Sequence, residues 1–104
     1  MKEIKAIIHR NRVADVVHAL KAAGFGNLCV VDVKGMLKAL DKKEQDYSVE
    51  LGDAVVTEIK LELVCEDTRV DEATRLIREQ ARTGQPNAGW IYVYDIGQAI
   101  RIEG

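Results

Sequence analysis

Residues 28–65 read LCVVDVKGMLKALDKKEQDYSVELGDAVVTEIKLELVC, and the architecture of the chain follows from how this stretch divides. Leu28 to Val33 is rich in β-branched residues, and Ala54 to Cys65 is the longest alternation of apolar and polar residues present. Between them Lys34 to Asp53 is polar and mixed in charge, with Gly35 and Gly52 near its ends. This is the pattern of an antiparallel strand pair with an oversized connection. Hairpin loops usually hold about 2 to 5 residues, so a connection this long is either a functional loop or a linker without structure of its own.

Working outward toward the N-terminus, Lys2 to His9 alternates as a first strand, with Ile4, Ala6 and Ile8 on one face and Glu3, Lys5 and Ile7 on the other. Val13, Val16, Val17 and Leu20 then follow the spacing of a helix stripe, with Asn11 expected as N-cap and Gly24 as C-cap. Within the run that ends at Cys65, Ile59, Leu61, Leu63 and Cys65 share one face, and Glu58, Lys60, Glu62 and Val64 the other. One face meets helices; the other carries charge.

Toward the C-terminus, Thr68 and Asp71 have the spacing of a capping box, and Val70, Ala73, Leu76, Ile77 and Ala81 supply the stripe of a second helix ending near Thr83 and Gly84. TGQPNAG, residues 83–89, reads as a turn and holds the chain's one proline, Pro86. Trp90 to Tyr94 alternates rings with Ile91 and Val93 as a further strand, and Ala99 to Ile102 is expected to add a short one. The order β-α-β-β-α-β predicts an α+β, ferredoxin-like sandwich over residues 1–104, one domain with both helices on one side of the sheet.

At 104 residues, 47% apolar and 31% charged, the chain has a modest core that association would help to cover. A net charge of -2 gives no electrostatic reason to expect nucleic acid or an anionic membrane as partner. No run of about 18 apolar residues and no leader pattern is present, so a cytoplasmic protein without membrane insertion is expected. Cys29 and Cys65 lie in apolar runs with no CxxC, and buried free thiols are expected.

The fold alone leaves several chemistries open. Base-stacking RNA modules carry rings on the open sheet face, where this third strand shows Glu58, Lys60 and Glu62. An acylphosphatase-like enzyme needs a phosphate cradle after the first strand; His9, Arg10, Asn11 and Arg12 occupy that junction without the glycines of a cradle. Neither His9 nor His18 has a nucleophile and orienting partner readable around it. The anomaly is the open face itself, where Glu58, Lys60, Glu62 and Val64 stand beside Ile7, Val31 and Val33, and which self-association would cover.

Five pieces in register carry a likeness: MKEIKAII at 1–8, VKG at 33–35, Lys60 and Glu62, ARTG at 81–84, and AIRI at 99–102. Over essentially its whole length the chain resembles the PII signal-transduction proteins. That resemblance implies a homotrimer with sheets facing inward, a partner-binding T-loop at about 36–53, and a B-loop at 82–89. It also implies adenine nucleotide binding between protomers, with 2-oxoglutarate joining through Mg-ATP. Carried across by position, Ile7 and Val64 would line the adenine pocket with Glu62 close by. Gly35 and Gly89 would offer backbone near the phosphates, and Arg101 would face them with charge.

Departures weaken that site. Asn87, Ala88, Gly89 and Trp90 replace a Gly-Asp-Gly-Lys turn, exchanging the phosphate-gripping lysine for an indole. Gly35, Met36, Leu37, Lys38 and Ala39 replace Gly-Phe-Gly-Arg and a glutamine, Glu58 replaces a lysine that helps hold 2-oxoglutarate, and Glu103 replaces a second arginine. Removing a charge-assisted hydrogen bond costs about 1.5–3 kcal/mol, which favours ADP or AMP over ATP. Leu51 occupies the usual uridylylation position, with Tyr47 and Ser48 nearby. The sequence therefore predicts a divergent PII-like regulator and not an enzyme, acting on a membrane transporter or metabolic enzyme through its long loop. A trimeric metal-binding protein similar to the divalent-cation tolerance proteins, using Cys29, Cys65 and the histidines, is the main alternative.

Overall fold

The computed structural model describes residues 1–32, 58–86 and 88–104. Its elements are β1 (Lys2–His9), α1 (Val13–Ala22), β2 (Leu28–Asp32), β3 (Glu58–Cys65), α2 (Val70–Gln80) and β4 (Gly89–Asp95). The strands pair antiparallel in the order β2-β3-β1-β4, so each βαβ crossover skips one position and β1 and β3 are central. This is the ferredoxin-like α+β arrangement expected from the alternation. The long connection at 36–53, together with Gly35 and the expected strand start at Ala54, lies outside the described residues.

The helix-facing side follows the period-two pattern. β1 buries Ile4, Ala6 and Ile8 opposite Leu63, Leu61 and Ile59 of β3. Above them α1 packs Val16 and Leu20, and α2 packs Ala73 and Ile77. Burying a large apolar side chain contributes about 1.5–3 kcal/mol, so this layer is the main stabilising term.

The helix starts differ from expectation. A 3-10 turn precedes each helix, Arg10–Arg12 before α1 and Asp67–Arg69 before α2, and Asn11 and Thr68 lie inside those turns. The N-cap residues are Arg12 and Arg69, neither with a side-chain cap bond. Backbone bonds cap the helices instead: the Val13 N–H donates to the Arg10 carbonyl, and the Arg69 N–H to the Glu66 carbonyl at 2.9 Å. The end of α1 fits its sequence, for Gly24 has φ +91 and donates to the Lys21 carbonyl, while buried Phe25 donates to the Leu20 carbonyl, both at 3.0 Å.

Several polar ties gather at the end of the sheet where β1 begins. The Met1 ammonium donates to Asp67 Oδ1 at 2.6 Å and holds that carboxyl below its ordinary value, and Lys2 pairs with Asp95. Nearby, Arg69 Nη2 donates to the Ala23 carbonyl at 2.6 Å while its guanidinium lies 3.9 Å from the Phe25 ring centroid. Beyond β4, residues 96–104 form no strand, which corrects the one expected over Ala99–Ile102. Ile100 and Ile102 are exposed, and the backbone there has no ladder to join.

Candidate functional site

The same alternation that fills the core turns the remaining strand residues to the open face. Register aligns them in three rows: Val64, Glu3 and Tyr94; Cys29, Glu62, Lys5 and Tyr92; Val31, Lys60, Ile7 and Trp90. The middle of this face is charged and internally matched. Lys60 Nζ lies 3.2 Å from Glu62 Oε1, and Lys5 Nζ lies 3.9 Å from Glu62 and 3.8 Å from Glu3. Lys5 also sits 5.2 Å from the Tyr94 ring centroid. Partly exposed pairs of this kind contribute up to about 1 kcal/mol each, so they set charge balance more than stability.

Along one margin runs a band of rings. Trp90, Tyr92 and Tyr94 of β4 are 64%, 45% and 47% exposed. The residues of β3 alone give no hint of them; the alternation in Trp90 to Tyr94 was the available signal. Which face those rings occupy is set by the pairing of Ile7 with Trp90.

Of the residues singled out from sequence, Ile7, Glu62 and Val64 share this open face in neighbouring rows. Gly89 adjoins Ile7 at the start of β4, and its φ is +146. A Cβ there would come within 2.1 Å of the Ile7 carbonyl oxygen, so the β1–β4 pairing itself demands glycine, independently of any ligand. Gly35 is outside the described residues, and Arg101 lies exposed in the tail. At the β1–α1 junction, Arg12 is 3.7 Å from Asp15, so part of the positive charge there is already matched.

The cysteines depart from expectation. Cys65 is buried, and that burial pushes its thiol up, whereas Cys29 is exposed. Cys29 pairs across from Glu62 on the open face while Cys65 faces the helices, so the two thiols lie on opposite sides of the sheet. They cannot share one metal ion. Among the described residues no group of three or more His, Cys, Asp or Glu is arranged to hold one.

The comparisons with known proteins agree on one family. The family model of nitrogen regulatory protein P-II matches residues 1–104. The nitrogen regulatory protein P-II of Porphyra purpurea is 33% identical over 102 residues, covering 98% of this chain and 91% of its own length. That of Rhodospirillum rubrum is 35% identical and that of Rhodobacter capsulatus 36% identical, with the same coverage. The chain belongs to the nitrogen regulatory protein P-II family.

As a P-II member it is a PII-like signal-transduction protein, and the proteins of this family are regulators rather than enzymes. The P-II match runs through both faces of the sheet and through the connection at 33–57. Among the described residues no helix is long and apolar enough to cross a membrane.

Proposed function

We propose that this P-II protein is a cytoplasmic homotrimer that senses an adenine nucleotide in clefts between protomers and signals by presenting residues 36–53 to a membrane transporter or metabolic enzyme. It has no catalytic role of its own. The observation that carries this reading is the open sheet face of a chain-long P-II match, which carries Val64, Glu62 and Ile7 in successive rows, Ile7 beside Gly89, along an exposed ring margin. A face with such margins favours covering by copies of itself, because apolar area removed from water contributes about 25 cal/mol per Å².

The donor set fits one half of a nucleotide better than the other. Ile7 and Val64 are partly buried apolar residues suited to a base, and Glu62 offers an acceptor beside them. For phosphates, Gly35 and Gly89 supply backbone and Arg101 supplies charge, while Trp90 takes the place of a cation. ADP or AMP is therefore the expected ligand ahead of ATP. A ligand of this kind acts on the partner-binding segment only through the states it binds unequally.

Sedimentation and calorimetric titration of the purified protein test both parts. We expect a trimer mass, micromolar binding of ADP or AMP, and no gain in affinity for ATP with magnesium and 2-oxoglutarate. A folded trimer giving no heat with any nucleotide would remove the sensor; a monomer at every concentration would remove the cleft.

A further inference from the structure

A groove on the helix side of the sheet, opposite the face just described, is lined by two arginines that have no carboxylate partner among the described residues. It opens where the end of α2 passes the start of β4 and encloses about 350 Å³, within the usual span of small-molecule pockets, about 300–1,000 Å³. Ile8, Ile77, Ala81 and Ile91 give it an apolar lining, and Arg78 and Arg82 complete its wall. Arg78 sits in the last turn of α2 and Arg82 two residues beyond the end of that helix, and both line the same groove.

Their surroundings set them apart from the other arginines nearby. Arg12 pairs with Asp15, Arg69 with Glu72, and Arg75 with Glu79. Among the described residues, neither Arg78 nor Arg82 has a carboxylate partner, although the chain carries more acidic than basic residues. Arg78 in the last turn also complements the α2 dipole, but a single charge suffices for that, and Arg82 lies beyond the last helical residue, Gln80. Both are exposed residues on the wall of one groove, and guanidinium geometry matches a carboxylate or phosphate. An apolar floor beneath them adds a preference for an anion with an apolar body.

We propose that this groove is a second binding site, for a small organic anion whose phosphate or carboxylate is held by Arg78 and Arg82 while its apolar body rests against Ile77, Ala81 and Ile91. This goes beyond the nucleotide reading, which concerns the other face; the two sites share Gly89 and Trp90.

Amide shifts of the intact protein titrated with phenyl phosphate, benzoate and inorganic phosphate test it. Phenyl phosphate or benzoate should shift residues 77–82 and 89–91 saturably, whichever binds more tightly naming the anionic group, with inorganic phosphate about tenfold weaker. Arg82→Gln should weaken binding about tenfold and the Arg78→Gln/Arg82→Gln pair about a hundredfold, whereas Arg75→Gln, whose arginine is already paired, should change it less than about twofold. Arg82→Gln alone carries the test if the double variant melts early. The proposal is overturned if no probe gives saturable shifts, if the shifts centre on Glu62 and Val64, if inorganic phosphate binds as tightly as phenyl phosphate, or if Arg82→Gln leaves affinity unchanged. Loss of nucleotide binding in the cleft would leave all these readouts in place.

Discussion

On β3, Leu61 is fully buried beneath the helices, whereas Glu62, the next residue, divides its charge between Lys60 and Lys5 on the open face. The two sides of the sheet thus differ in whom they address. The helix side is filled at its centre by residues of the same chain, with Val30 and Val93 left half-exposed on the two edge strands, and its burial serves folding. The open side matches its charges at the centre and leaves Trp90, Tyr92 and Tyr94 along the margin, a composition that makes sense with another surface against it.

The largest effect should separate these two sides directly. Leu61→Ala is expected to cost about 2–5 kcal/mol in urea unfolding, since it opens a cavity in a filled layer. Glu62→Gln should cost less than about 1 kcal/mol under the same conditions, because it only loosens exposed pairs. Comparable losses would erase the distinction. Next in size is Gly89→Ala, expected to cost about 1–3 kcal/mol through a strained backbone and a clash with the Ile7 carbonyl. Hydrogen exchange should show the loss in β1–β4 pairing near Ile8, with β2–β3 pairing unchanged; uniform loss would mean the strand start is not independent.

The smallest effect concerns the thiols, one on each side. Cys29 should react with iodoacetamide as a free thiol, and Cys65 only through opening of the structure. Because burial raises the Cys65 value above the ordinary 9.0, its contribution is fully present below that pH and is lost as pH rises through the raised value. Unfolding midpoints should therefore drift downward above pH 9, and Cys65→Ala should remove that part of the drift. Equal labelling of both thiols at neutral pH would contradict the sidedness.

Strand order and facing were legible because period two is a local property: Ile4, Ala6 and Ile8 declare a face without reference to anything else. Helix starts were not, because capping residues signal a change of direction without its form, and here Asn11 and Thr68 fall inside 3-10 turns whose backbone bonds replace theirs. The rings of β4 were visible as an alternation, yet their side of the sheet depends on pairing with β1, which is a long-range fact. The apolar neighbours of Cys29 suggest burial, but β2 is an edge strand and that position faces outward. Arg78 and Arg82 gave no signal in sequence, since arginines at and just past a helix end are ordinary until their partners can be counted.

The ties gathered where β1 begins have a mechanical meaning. Met1 to Asp67, Lys2 to Asp95, and Arg69 to both Ala23 and Phe25 fasten the N-terminus, both helices and the last strand together at that pole. β2 ends and β3 begins at the opposite pole, beside the end of β1 and the start of β4, where Gly89 and the groove also lie. These exposed ties register the elements against one another at that pole, while the apolar layer between sheet and helices supplies the stability that spans both ends.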